Sequence, residues 1–585
     1  MRTIAPATTA TGAAYSEGDA TGRACGEMAR KILKMMAEGA GGNNGGCAEP
    51  DARRVRRIIL DTCSRYSLPR VPGNREILLA AAGGGGDRSR ELCAVLRKKP
   101  AKTASGVAVV AVMPKPFACP HGRCTYCPGG PEYNTPNSYT GAEPSTIDAI
   151  RHEYDPVPQI RAKLEQLEAF GHDTSKTELV IVGGTFLFMP PAYRRDFVRA
   201  CYDALNGVDN PSKTLLQAQR LNERAAVRSV GFAIETKPDY CKAAHIDAML
   251  DYGVTRVEIG VQSLRDRVYK IINRGHTYAD VTESFQLAKD AGYKIAAHMM
   301  PGLPTMTPED DMADFARLYD DPDLRPDMLK IYPALVIKGT PLYEEYASGR
   351  YSPYSDHEMI NVLADAKRRV PKWVRIMRVQ REIPPSRIVA GPRHGNLRQM
   401  VRDRLAAEGT PCRCIRCREA GLQPAAQARQ RQAHGTDGLH IDIVQYDSSG
   451  GREAFISYED DDERIYGFVR LRKPSSGAHR PELAGVTESG GRGGDGVRRC
   501  IVRELHVYGR AVGIGVSSIG NGRGDGGSIQ HAGIGRSLMG RAEDVARDTF
   551  GAEQLLVISA VGAREYYSRL GYSLYGPYMC KELMA

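Results

Sequence analysis

Short apolar runs rich in β-branched residues recur along the middle of the chain, and a longer amphipathic stretch follows each of them. TELVIVGG and VTRVEIGVQS are two such runs, and IRAKLEQLEAFGH is one of the amphipathic stretches. Strands that alternate with helices predict parallel βαβ units. About six units within residues 105–372, joined by right-handed crossovers, predict a full or partial (β/α) barrel with its site at the C-terminal ends of the strands.

The segments before and after these units have different patterns of hydrophobic and polar residues. Residues 1–104 are basic and carry helical stretches such as DARRVRRIILDTCSRY, whose basic positions recur on one face. Residues 439–585 open with strand patterns and end in a strand, a glycine turn, a helix and another strand, which predicts an α+β domain. An arginine-rich linker, residues 373–438, connects this domain to the barrel.

The composition is typical of a multidomain protein without a membrane span. At 585 residues the chain is longer than one hydrophobic core usually serves. It has no apolar run of about eighteen residues and no secretory signal, which predicts a cytoplasmic location and no membrane partner. The formal charge of +11 favours a polyanionic partner without requiring one, because modest positive charge is common in soluble proteins.

The most specific motif is CPHGRCTYCPGG, directly after the first predicted barrel strand. In a reducing cytoplasm, cysteines clustered in this way indicate metal ligation before disulfides. Cys119, Cys124 and Cys127 can hold three irons of a [4Fe–4S] cluster and leave the fourth iron open to an external ligand. A ferredoxin-type run would need a fourth cysteine nearby, and the next is Cys201; a zinc site would have to use His121, which is poorly placed for tetrahedral closure.

A second motif is the glycine turn QHAGIGR, between the strand pattern IVRELHVYG and the helix pattern SLMGRAEDVARDTFG. Glycines between a strand and a helix expose backbone N–H groups at the positive end of the helix, which suits the pyrophosphate of coenzyme A. The string alone is a weak signal in a glycine-rich region, so the flanking elements carry the interpretation. The candidate ligands are Gln530, Gly533, Ile534, Gly535 and Arg536.

Further motifs follow one another along the chain: VGGTF, IETKPDYC, EIGVQS, NRGHT, AHMMPGLP, RVQREIP and VRELHVYG. Together they resemble the radical S-adenosylmethionine (SAM) superfamily and, more narrowly, the catalytic subunit of Elongator with its archaeal and bacterial single-subunit relatives. The similarity covers about residues 100–585. It implies an α/β fold: a radical SAM partial (β/α) barrel, then an α+β domain like the GNAT acetyltransferases, with a helical basic segment before both.

The resemblance implies that SAM binds at the ends of the barrel strands. Side-chain-free backbone in Gly183-Gly184-Thr185 can approach the amino and carboxylate groups of SAM, although a plain strand-ending turn explains the glycines equally well. The polar residues at later strand ends either contact SAM or fill a polar layer of the barrel. These residues are Glu235, Gln262 and His298, with Lys330 as a catalytic candidate on the next strand.

Acetyl-CoA is the second small molecule that the resemblance implies. Backbone groups of one strand would pair with its pantetheine amides, and a lysine before the second barrel strand would contact its charged groups. An exposed lysine without a ligand is the alternative. The strand residues and the lysine are Glu504, Leu505, His506, Val507 and Lys176.

Two tyrosines near the end of the chain belong to the same candidate site. By resemblance Tyr567 lies near the thioester sulfur and Tyr566 stands beside it, while packing in the core is the alternative. Glu504 would be the general base if the domain acetylated a protein. The catalytic candidates of the whole chain are Tyr566, Tyr567, Glu504 and Lys330.

A second cysteine group, PCRCIRCREAG, lies in the linker. Cys412, Cys414 and Cys417 supply three thiolates on a compact loop, which is typical of structural zinc, but a closed zinc site needs a fourth ligand. Some relatives carry a cysteine where this chain has Pro474. The candidates for a substitute are His394, His434 and Cys500.

The resemblance also implies the reaction. A SAM-derived 5′-deoxyadenosyl radical would take hydrogen from the acetyl methyl group of acetyl-CoA, and the acetyl radical would add to C5 of a wobble uridine, so that hydrolysis leaves 5-carboxymethyluridine at position 34 of tRNA. The basic N-terminal segment would hold phosphates of the anticodon arm. Its candidate contacts are Arg53, Arg54, Arg56, Arg57, Lys98, Lys99 and Lys102.

Two other functions stay open from the sequence. One is a protein lysine acetyltransferase with a structural iron–sulfur module, and the other is a tRNA-binding scaffold without activity. The sequence does not identify the electron donor of the cluster. A homodimer and other Elongator-type subunits are both compatible with it.

Overall fold

A computed structural model describes residues 20–39, 52–82, 92, 95–96, 103–422, 438–484, 496–509 and 533–584. The chain forms two compact units. The first consists of residues 1–102 and 164–174, and the second of residues 103–163 and 175–585. Within the described ranges, every helix is too short or too polar to cross a membrane.

Three helices lie in the first unit before residue 102: α1 (Ala20–Gly39), α2 (Ala52–Arg65) and α3 (Asn74–Ala82). Their apolar faces meet in one buried cluster that includes Met28 and Ile77. Burial of these apolar faces stabilises short helices that would be marginal in water.

The basic face of α2 stays exposed. Four of the five arginines of this helix lie near its start, and all four are on the surface: Arg53, Arg54, Arg56 and Arg57. An exposed basic face is compatible both with phosphate contacts and with plain solvation. Lys98, Lys99 and Lys102 lie outside the described residues.

Seven parallel strands form the first sheet of the second unit, and neighbouring strands follow one another along the chain. Helices lie between successive strands. This arrangement confirms the predicted partial (β/α) barrel. The strands are β1 (Ala108–Val112), β2 (Lys176–Ile181), β3 (Arg228–Thr236), β4 (Arg256–Gln262), β5 (Lys294–Met299), β6 (Met328–Ile331) and β8 (Arg375–Arg378).

The last barrel strand differs from the sequence prediction. The apolar pattern ended the barrel at residue 372, whereas β8 pairs in parallel with β6 beyond that point. β8 is only four residues long and has an arginine at each end, so it lacks the apolar run that predicts a buried strand. A separate antiparallel pair is formed by β7 (Val336–Ile337) and β9 (Ile388–Ala390).

Several barrel helices begin at capping residues that the sequence supplies. Thr277 and Thr307 each accept a backbone N–H in the first helical turn and form capping boxes with Asp280 and Asp310. The helices of this part are α4 (Pro144–Arg151), α5 (Pro156–Ala169), α6 (Pro191–Asn206), α7 (Leu215–Asn222), α8 (Ala243–Asp251), α9 (Asp266–Ile271), α10 (Tyr278–Asp290), α11 (Pro308–Asp320), α12 (Pro341–Ala347), α13 (Asp356–Arg369), α14 (Leu397–Ala407) and α15 (Ile415–Arg418).

The second sheet of this unit is mixed, with the strand order β10-β11-β12-β13-β14-β16-β15. Only β13 and β14 are parallel neighbours in it. The predicted α+β domain is therefore observed. Its elements are β10 (His440–Ser448), β11 (Gly451–Glu459), β12 (Ile465–Lys473), β13 (Arg499–Val507), α16 (Ile534–Asp544), β14 (Gln554–Val557), α17 (Arg564–Ser568), β15 (Ser573–Tyr575) and β16 (Tyr578–Glu582).

β13 and β14 separate partway along their length. β13 pairs with β12 as far as Val507, but its pairs with β14 end at Val502. Beyond that point the edge of β13 over residues 503–507 faces a gap between the two parallel strands. The first turn of α16 lies beside this gap, because a Cβ on Gly535 would be 3.6 Å from Val507. We refer to the region between β13 beyond Val502, the end of β14 and the start of α16 as the cleft.

The barrel and the α+β domain are joined by buried ion pairs. Asp327, just before β6, accepts two hydrogen bonds from Arg503 on β13, at 2.8 and 2.5 Å, and both side chains are fully buried. Arg472 on β12 donates to Asp290 at 2.9 and 2.6 Å. Glu453 on β11 accepts from both arginines at 2.9 Å. Because each charge has a partner of opposite sign, the network fixes the α+β domain against the barrel.

Candidate active site

The cysteine loop follows β1 and turns at Gly122, whose φ of 81° is readily adopted only by glycine. Two of its sulfur atoms accept hydrogen bonds from the segment after the loop. Asn137 Nδ2 lies 3.1 Å from Cys119 Sγ, and the backbone N–H of Ser138 donates to Cys127 Sγ at 3.0 Å. These donors hold both sulfur atoms in place and favour negative charge on them.

Cys124 Sγ receives two donors. Lys237 Nζ lies 3.0 Å from His121 Nδ1. Because an ammonium group only donates, the ring proton is on Nε2, which lies 3.2 Å from Cys124 Sγ. Arg274 Nη1 lies 3.8 Å from the same sulfur. Burial, Lys237 and Arg274 lower the pKa of His121 to about 4, so the ring is neutral and both its nitrogens are engaged.

The three thiols fit an iron–sulfur cluster. N–H donors directed at the sulfur atoms are the usual surroundings of such clusters. Burial and the neighbouring Cys124 raise the pKa of Cys127 to about 11, and the same causes raise the pKa of Cys119. Metal binding must therefore displace protons from these thiol groups.

Four polar side chains converge inside the barrel, on β3, β4, β5 and β6. The Glu258 carboxylate is central: it accepts one hydrogen bond from His298 Nε2 at 3.1 Å and another from Lys330 Nζ. Lys330 Nζ also lies 3.6 Å from Glu235 Oε1. Three of the predicted residues, Glu235, His298 and Lys330, thus form one group around a residue that was not predicted.

Lys330 and Glu258 form a fully ionised pair. Burial raises the pKa of Glu258, but Lys330 outweighs it and holds that pKa well below its usual range. Burial likewise opposes charge on Lys330, and Glu258 raises its pKa above the usual value. Ligand atoms of Glu235, Glu258 and His298 lie within 4.8 Å of one another. The ammonium group of Lys330 already supplies the positive charge that a metal ion would bring there.

The glycine turn after β2 lies against this group. The N–H of Gly183 points to Glu235 Oε2 at 3.3 Å. Gly183 has a φ of 107°, and a Cβ there would come within 3.1 Å of Pro136, so the position requires glycine. Gly184 has a φ of 68° and open space around its missing side chain, and Thr185 is buried behind it. The turn can therefore admit a ligand close to its backbone.

Gln262 ends β4 with a φ of 74°. Its Oε1 atom is buried and has no hydrogen-bond partner among the described residues. A buried acceptor without a partner is costly, and an N–H or O–H group of a bound ligand would satisfy it. This observation fits the predicted contact between Gln262 and SAM.

The central residue Glu258 was missed by sequence reasoning. The signal was present in VTRVEIGVQS, where two charged residues, Arg256 and Glu258, interrupt a mostly apolar run in a buried strand. Charged residues are almost never fully buried unless they are paired. The partner Lys330 is 72 residues away along the chain, so the pairing itself could not be predicted.

The second candidate site lies at the cleft between β13, β14 and α16. α16 starts after Gly533, which has a φ of 84°, and its first turn contains Ile534, Gly535 and the exposed Arg536. A Cβ on Gly535 would lie 2.7 Å from Tyr566 Oη, so only glycine leaves room for that hydroxyl group. Gln530 lies outside the described residues.

The strand residues of this site face two directions. Leu505 and Val507 pack against the core below α16. Glu504 and His506 point instead to the barrel side: Glu504 accepts from Arg470 Nε at 2.9 Å, and His506 Nε2 lies 2.9 Å from the carbonyl oxygen of Ser105. The side chains of this strand therefore face the core or the barrel, and only its backbone groups are left to face the cleft.

Glu504 is poorly suited to be a general base, which corrects that part of the sequence prediction. Burial raises its pKa, but Lys294 and Arg470 outweigh burial and hold the pKa below the usual value. A carboxylate that is buried and ion-paired takes up a proton only at a free-energy cost. Its ion pair with Arg470 gives it a structural role instead.

The two tyrosines of α17 have different surroundings. Tyr567 is buried in the domain core, and burial, Tyr566 and the Glu504 carboxylate raise its pKa. Tyr566 is 40% exposed, and its hydroxyl group lies at the first turn of α16 beside Gly535. Tyr566 thus lies beside the start of α16, and the roles predicted for both tyrosines at the thioester stay predictions.

Lys176 begins β2, at the opposite end of that strand from Gly183. It pairs in register with Arg228 on β3. Arg228 Nη1 in turn donates to Glu565 Oε2 on α17 at 2.9 Å. Lys176 therefore lies at the barrel end that faces the tyrosine helix and away from the cysteine loop, and its predicted contact to acetyl-CoA stays a prediction.

The linker thiols Cys412, Cys414 and Cys417 have their sulfur atoms within 4.8 Å of one another. Lys367 Nζ lies 3.7 Å from Cys417 Sγ, and the buried hydroxyl group of Tyr319, near the same thiols, has no hydrogen-bond partner within the described ranges. Three converging thiols with an orphaned hydroxyl group beside them fit one bound metal ion.

The fourth zinc ligand is not found where the sequence analysis expected it. His394 Nε2 bonds to Asp356 Oδ2 at 2.8 Å, and Cys500 is buried in the core of the α+β domain. Neither joins the thiol group, because tertiary packing carries both side chains elsewhere. His434 lies outside the described residues.

Family profiles match three parts of the chain. The radical SAM superfamily profile matches residues 114–317, the radical SAM C-terminal domain profile matches residues 326–407, and the ELP3 N-terminal domain profile matches residues 21–104. These spans contain the cysteine loop, the polar group around Glu258 and the helices of the first unit.

Full-length relatives are also similar. Elongator complex protein 3 of Danio rerio is 44% identical over 541 residues, which cover 90% of this chain and 93% of that protein. A tRNA uridine(34) acetyltransferase of Methanocaldococcus infernus is 42% identical over 562 residues, with 94% and 98% covered. The solved structure of an N-terminally truncated Elp3 from the same archaeon has a TM-score of 0.67 and 38% identity, and covers 82% of this chain and all of that one. The chain therefore belongs to the Elongator complex protein 3 family of radical SAM proteins.

Proposed function

We propose that this chain modifies tRNA, using SAM and acetyl-CoA to form 5-carboxymethyluridine at wobble position 34. The observation that carries the proposal is the presence of two sites in one compact unit: a three-cysteine loop beside a polar barrel interior, and a cleft between diverging parallel strands. The archaeal relative named a tRNA uridine(34) acetyltransferase supports the substrate.

Cys119, Cys124 and Cys127 would hold a [4Fe–4S] cluster, which when bound supplies the electron that cleaves SAM to a 5′-deoxyadenosyl radical. The chain's own part is to position SAM. The Gly183 turn leaves space for SAM beside its backbone, and Gln262 Oε1, which has no partner among the described residues, would accept a hydrogen bond from it. The remaining SAM contacts proposed are Gly184, Thr185, Glu235 and His298.

Acetyl-CoA would occupy the cleft beside β13. N–H groups in the first turn of α16 suit its pyrophosphate, and the β13 edge that no longer pairs with β14 suits its pantetheine amides. Tyr566 and Tyr567 would then border the thioester. The full set of proposed contacts is Lys176, Glu504, Leu505, His506, Val507, Gln530, Gly533, Ile534, Gly535, Arg536 and Tyr567.

The tRNA would use the basic face of α2, where the arginines of residues 53–57 are exposed. Wobble uridine lies in a single-stranded loop, so its base can be splayed into a protein cavity while basic side chains hold the phosphates. A cytoplasmic location fits such a substrate. A single-subunit enzyme and a member of an Elongator-type assembly are both compatible with this arrangement.

The linker thiols would hold a structural zinc ion. Cys412, Cys414 and Cys417 supply three of the four ligands that closed zinc sites use. Water or a residue outside the described ranges would complete the set. Zinc there would fix the linker next to Lys367 and Tyr319, between the two domains of the second unit.

The reaction is tested with unmodified tRNA, SAM, acetyl-CoA and dithionite under anaerobic conditions. We expect 5′-deoxyadenosine and 5-carboxymethyluridine to appear together, and the variant Cys124→Ala to form neither. Lysine acetylation of protein substrates, without SAM cleavage or tRNA change, would instead establish the rival acetyltransferase function. Modification that survives in Cys124→Ala would refute the role of the cluster.

A further inference from the structure

The helix that carries Tyr566 and Tyr567, α17, is only five residues long. Helices shorter than about 12–15 residues are marginal in water on their own, so the position of α17 depends on its tertiary contacts. Tyr567 packs in the core of the α+β domain, and the hydroxyl group of Tyr566 lies at the first turn of α16. α17 and the turn before it also contact the barrel directly.

The turn before α17, Val561–Ala563, packs closely against the start of β3. A Cβ on Gly562 would lie 2.6 Å from the Cβ of Arg228, 2.8 Å from the carbonyl oxygen of Ser229 and 2.9 Å from its backbone nitrogen. Because Ser229 is paired within the barrel sheet, its backbone atoms cannot move aside for a side chain. Only glycine therefore allows the turn to lie this close to the barrel.

Two ion pairs join α17 to the same end of the barrel. Arg228 Nη1 donates to Glu565 Oε2 at 2.9 Å, and Arg564 Nη1 donates to Glu223 Oε1, directly after α7, at 2.9 Å. Both arginine side chains are only 16% exposed, so solvent and salt screen these pairs less than surface pairs. The barrel supplies the cation of one pair and the anion of the other, so a rotated helix would place like charges together.

Arg228 is itself held by the barrel. Its Nε atom donates to the carbonyl oxygen of Ala225 at 3.1 Å, and its backbone N–H donates to the carbonyl oxygen of Ser175 at 2.9 Å. Lys176, the predicted acetyl-CoA contact, is its neighbour in register on β2. The end of the barrel that carries this lysine therefore also directs the Arg228 guanidinium group towards α17.

Other charged contacts nearby do not fix α17 in this way. Arg569 donates to Glu565 Oε1 at 2.9 Å, but its side chain is 71% exposed and it follows α17 along the chain. A surface pair of this kind contributes little to stability and does not reach the barrel. The buried pair of Asp327 and Arg503 holds β13 against the barrel, so it fixes the sheet of the α+β domain and not α17.

We propose that the barrel positions α17 for the reaction: Gly562 and the two ion pairs hold Tyr566 and Tyr567 at the acetyl-CoA thioester. This inference rests on the proposed function, because the two tyrosines meet a thioester only there. The four paired residues are positioning residues, and no proton or chemical group passes to or from them. Use of the acetyl group then depends on the barrel even at a distance from the cysteine loop.

The test uses the full-length, cluster-loaded protein with tRNA, SAM, acetyl-CoA and dithionite, and measures the ratio of 5′-deoxyadenosine to 5-carboxymethyluridine. A misplaced acetyl group leaves SAM cleavage without tRNA modification, so the ratio rises. Loss of folded protein lowers both products equally and leaves the ratio unchanged. We expect Gly562→Ala to raise the ratio about tenfold or more, because a misplacement of about 1 Å can cost about a hundredfold in rate.

Glu565→Arg places two arginines against each other and should raise the ratio by about threefold to fivefold, the size that partly exposed ion pairs support. The double variant Arg228→Glu/Glu565→Arg restores the pair with its charges exchanged and should bring the ratio back towards the wild-type value. Arg569→Ala is the matched control, because it removes the solvent-side partner of Glu565 and leaves the barrel contacts in place. It should keep the wild-type ratio.

Wild-type ratios in Gly562→Ala and Glu565→Arg, at unchanged thermal unfolding midpoints, would overturn the proposal. So would an exchanged pair that stays as uncoupled as Glu565→Arg. A lower KM for acetyl-CoA in Glu565→Arg without a change of ratio would also overturn it, since the new cation would then act only by attracting the anionic coenzyme. If Gly562→Ala does not fold, the Glu565→Arg series decides alone. A wild-type protein that forms no 5-carboxymethyluridine would instead refute the proposed function.

Discussion

At the scale of single residues, the decisive feature is the ionised pair inside the barrel. Glu258 links His298, Lys330 and, through Lys330, Glu235. It does not need to touch SAM to matter, because it fixes the direction of two side chains that line the interior. We regard it as a positioning residue.

The variant Glu258→Gln tests this role. Glutamine keeps the shape but leaves the Lys330 ammonium group without its main counter-charge. We expect the rate of 5′-deoxyadenosine formation to fall roughly ten- to a hundredfold, since hydrogen bonds to charged groups contribute about 1.5–3 kcal/mol. Chromatography of 5′-deoxyadenosine at several SAM concentrations separates kcat from KM.

Glu258→Asp and Glu178→Gln serve as the comparison variants. The aspartate variant keeps the charge and should recover part of the rate. Glu178 pairs with Arg256, whose second partner is Glu258 Oε1 at 3.0 Å, so its change disturbs only the edge of the same network and should lower SAM cleavage less than Glu258→Gln does. Equal rates in Glu258→Gln and wild type, at equal stability, would show that the pair has no positioning role.

At the scale of elements, all six apolar runs that predicted strands are strands in the barrel, and the glycine turn after β13 does lead into a helix. Period and length sufficed, because most of these strands are buried along nearly their whole length. The strand β8 was missed because its arginines face partners elsewhere in the fold: Arg375 Nη1 lies 2.7 Å from the buried Glu419. A strand whose polar residues are satisfied by tertiary contacts has no local signature.

The N-terminus of α11 shows how a helix supports the site. Asp311 accepts the backbone N–H of Gly302 at 2.8 Å and the hydroxyl group of Tyr354 at 2.7 Å. Gly302 belongs to the loop AHMMPGLP after β5. One carboxyl group therefore ties the loop behind the candidate SAM site to the helix that follows it.

Asp311→Asn should change the pH dependence of stability. Burial raises the pKa of Asp311 to about 7, from about 4 in an unfolded chain. Between these values the folded protein holds the proton and the unfolded chain does not, so the contribution of Asp311 to the free energy of unfolding decreases as pH rises from about 4 to about 7. Asparagine cannot titrate and should remove this slope.

Urea denaturation of both proteins at pH 5 and pH 7.5 measures the effect. We expect the stability of the wild type, relative to the variant, to be greater at pH 5 than at pH 7.5. An unchanged difference between the two pH values would mean that Asp311 titrates near its ordinary value.

At the scale of the whole molecule, the buried ion-pair network joins the barrel to the α+β domain. Arg503 on β13 bonds to Asp327, three residues before Lys330 on β6. Burial opposes charge on Asp327, but Arg503 and Arg470 hold its pKa well below the usual range. The strand proposed for acetyl-CoA is thereby fixed to the strand that supplies the barrel lysine.

Asp327→Asn should destabilise the second unit by about 3–5 kcal/mol, because it leaves buried arginines without a counter-charge. Asp403→Asn is the control: Asp403 pairs with Arg402 at 3.4 Å on the surface, where such pairs contribute about 0–1 kcal/mol. Chemical denaturation monitored by circular dichroism gives both values. A loss below about 1 kcal/mol in Asp327→Asn would contradict a structural role for the network.

The sequence by itself determined the features that depend on local spacing. Three cysteines within nine residues define a metal loop, and apolar periods define strands and helices, because neighbours along the chain are held near one another by covalent geometry. Tertiary structure decided which distant residues meet. Glu258 pairs with Lys330, which is 72 positions away along the chain. Asp327 pairs with Arg503, which is 176 positions away. Such buried pairs form only when strand order and domain packing bring opposite charges together out of water, and no local pattern encodes that.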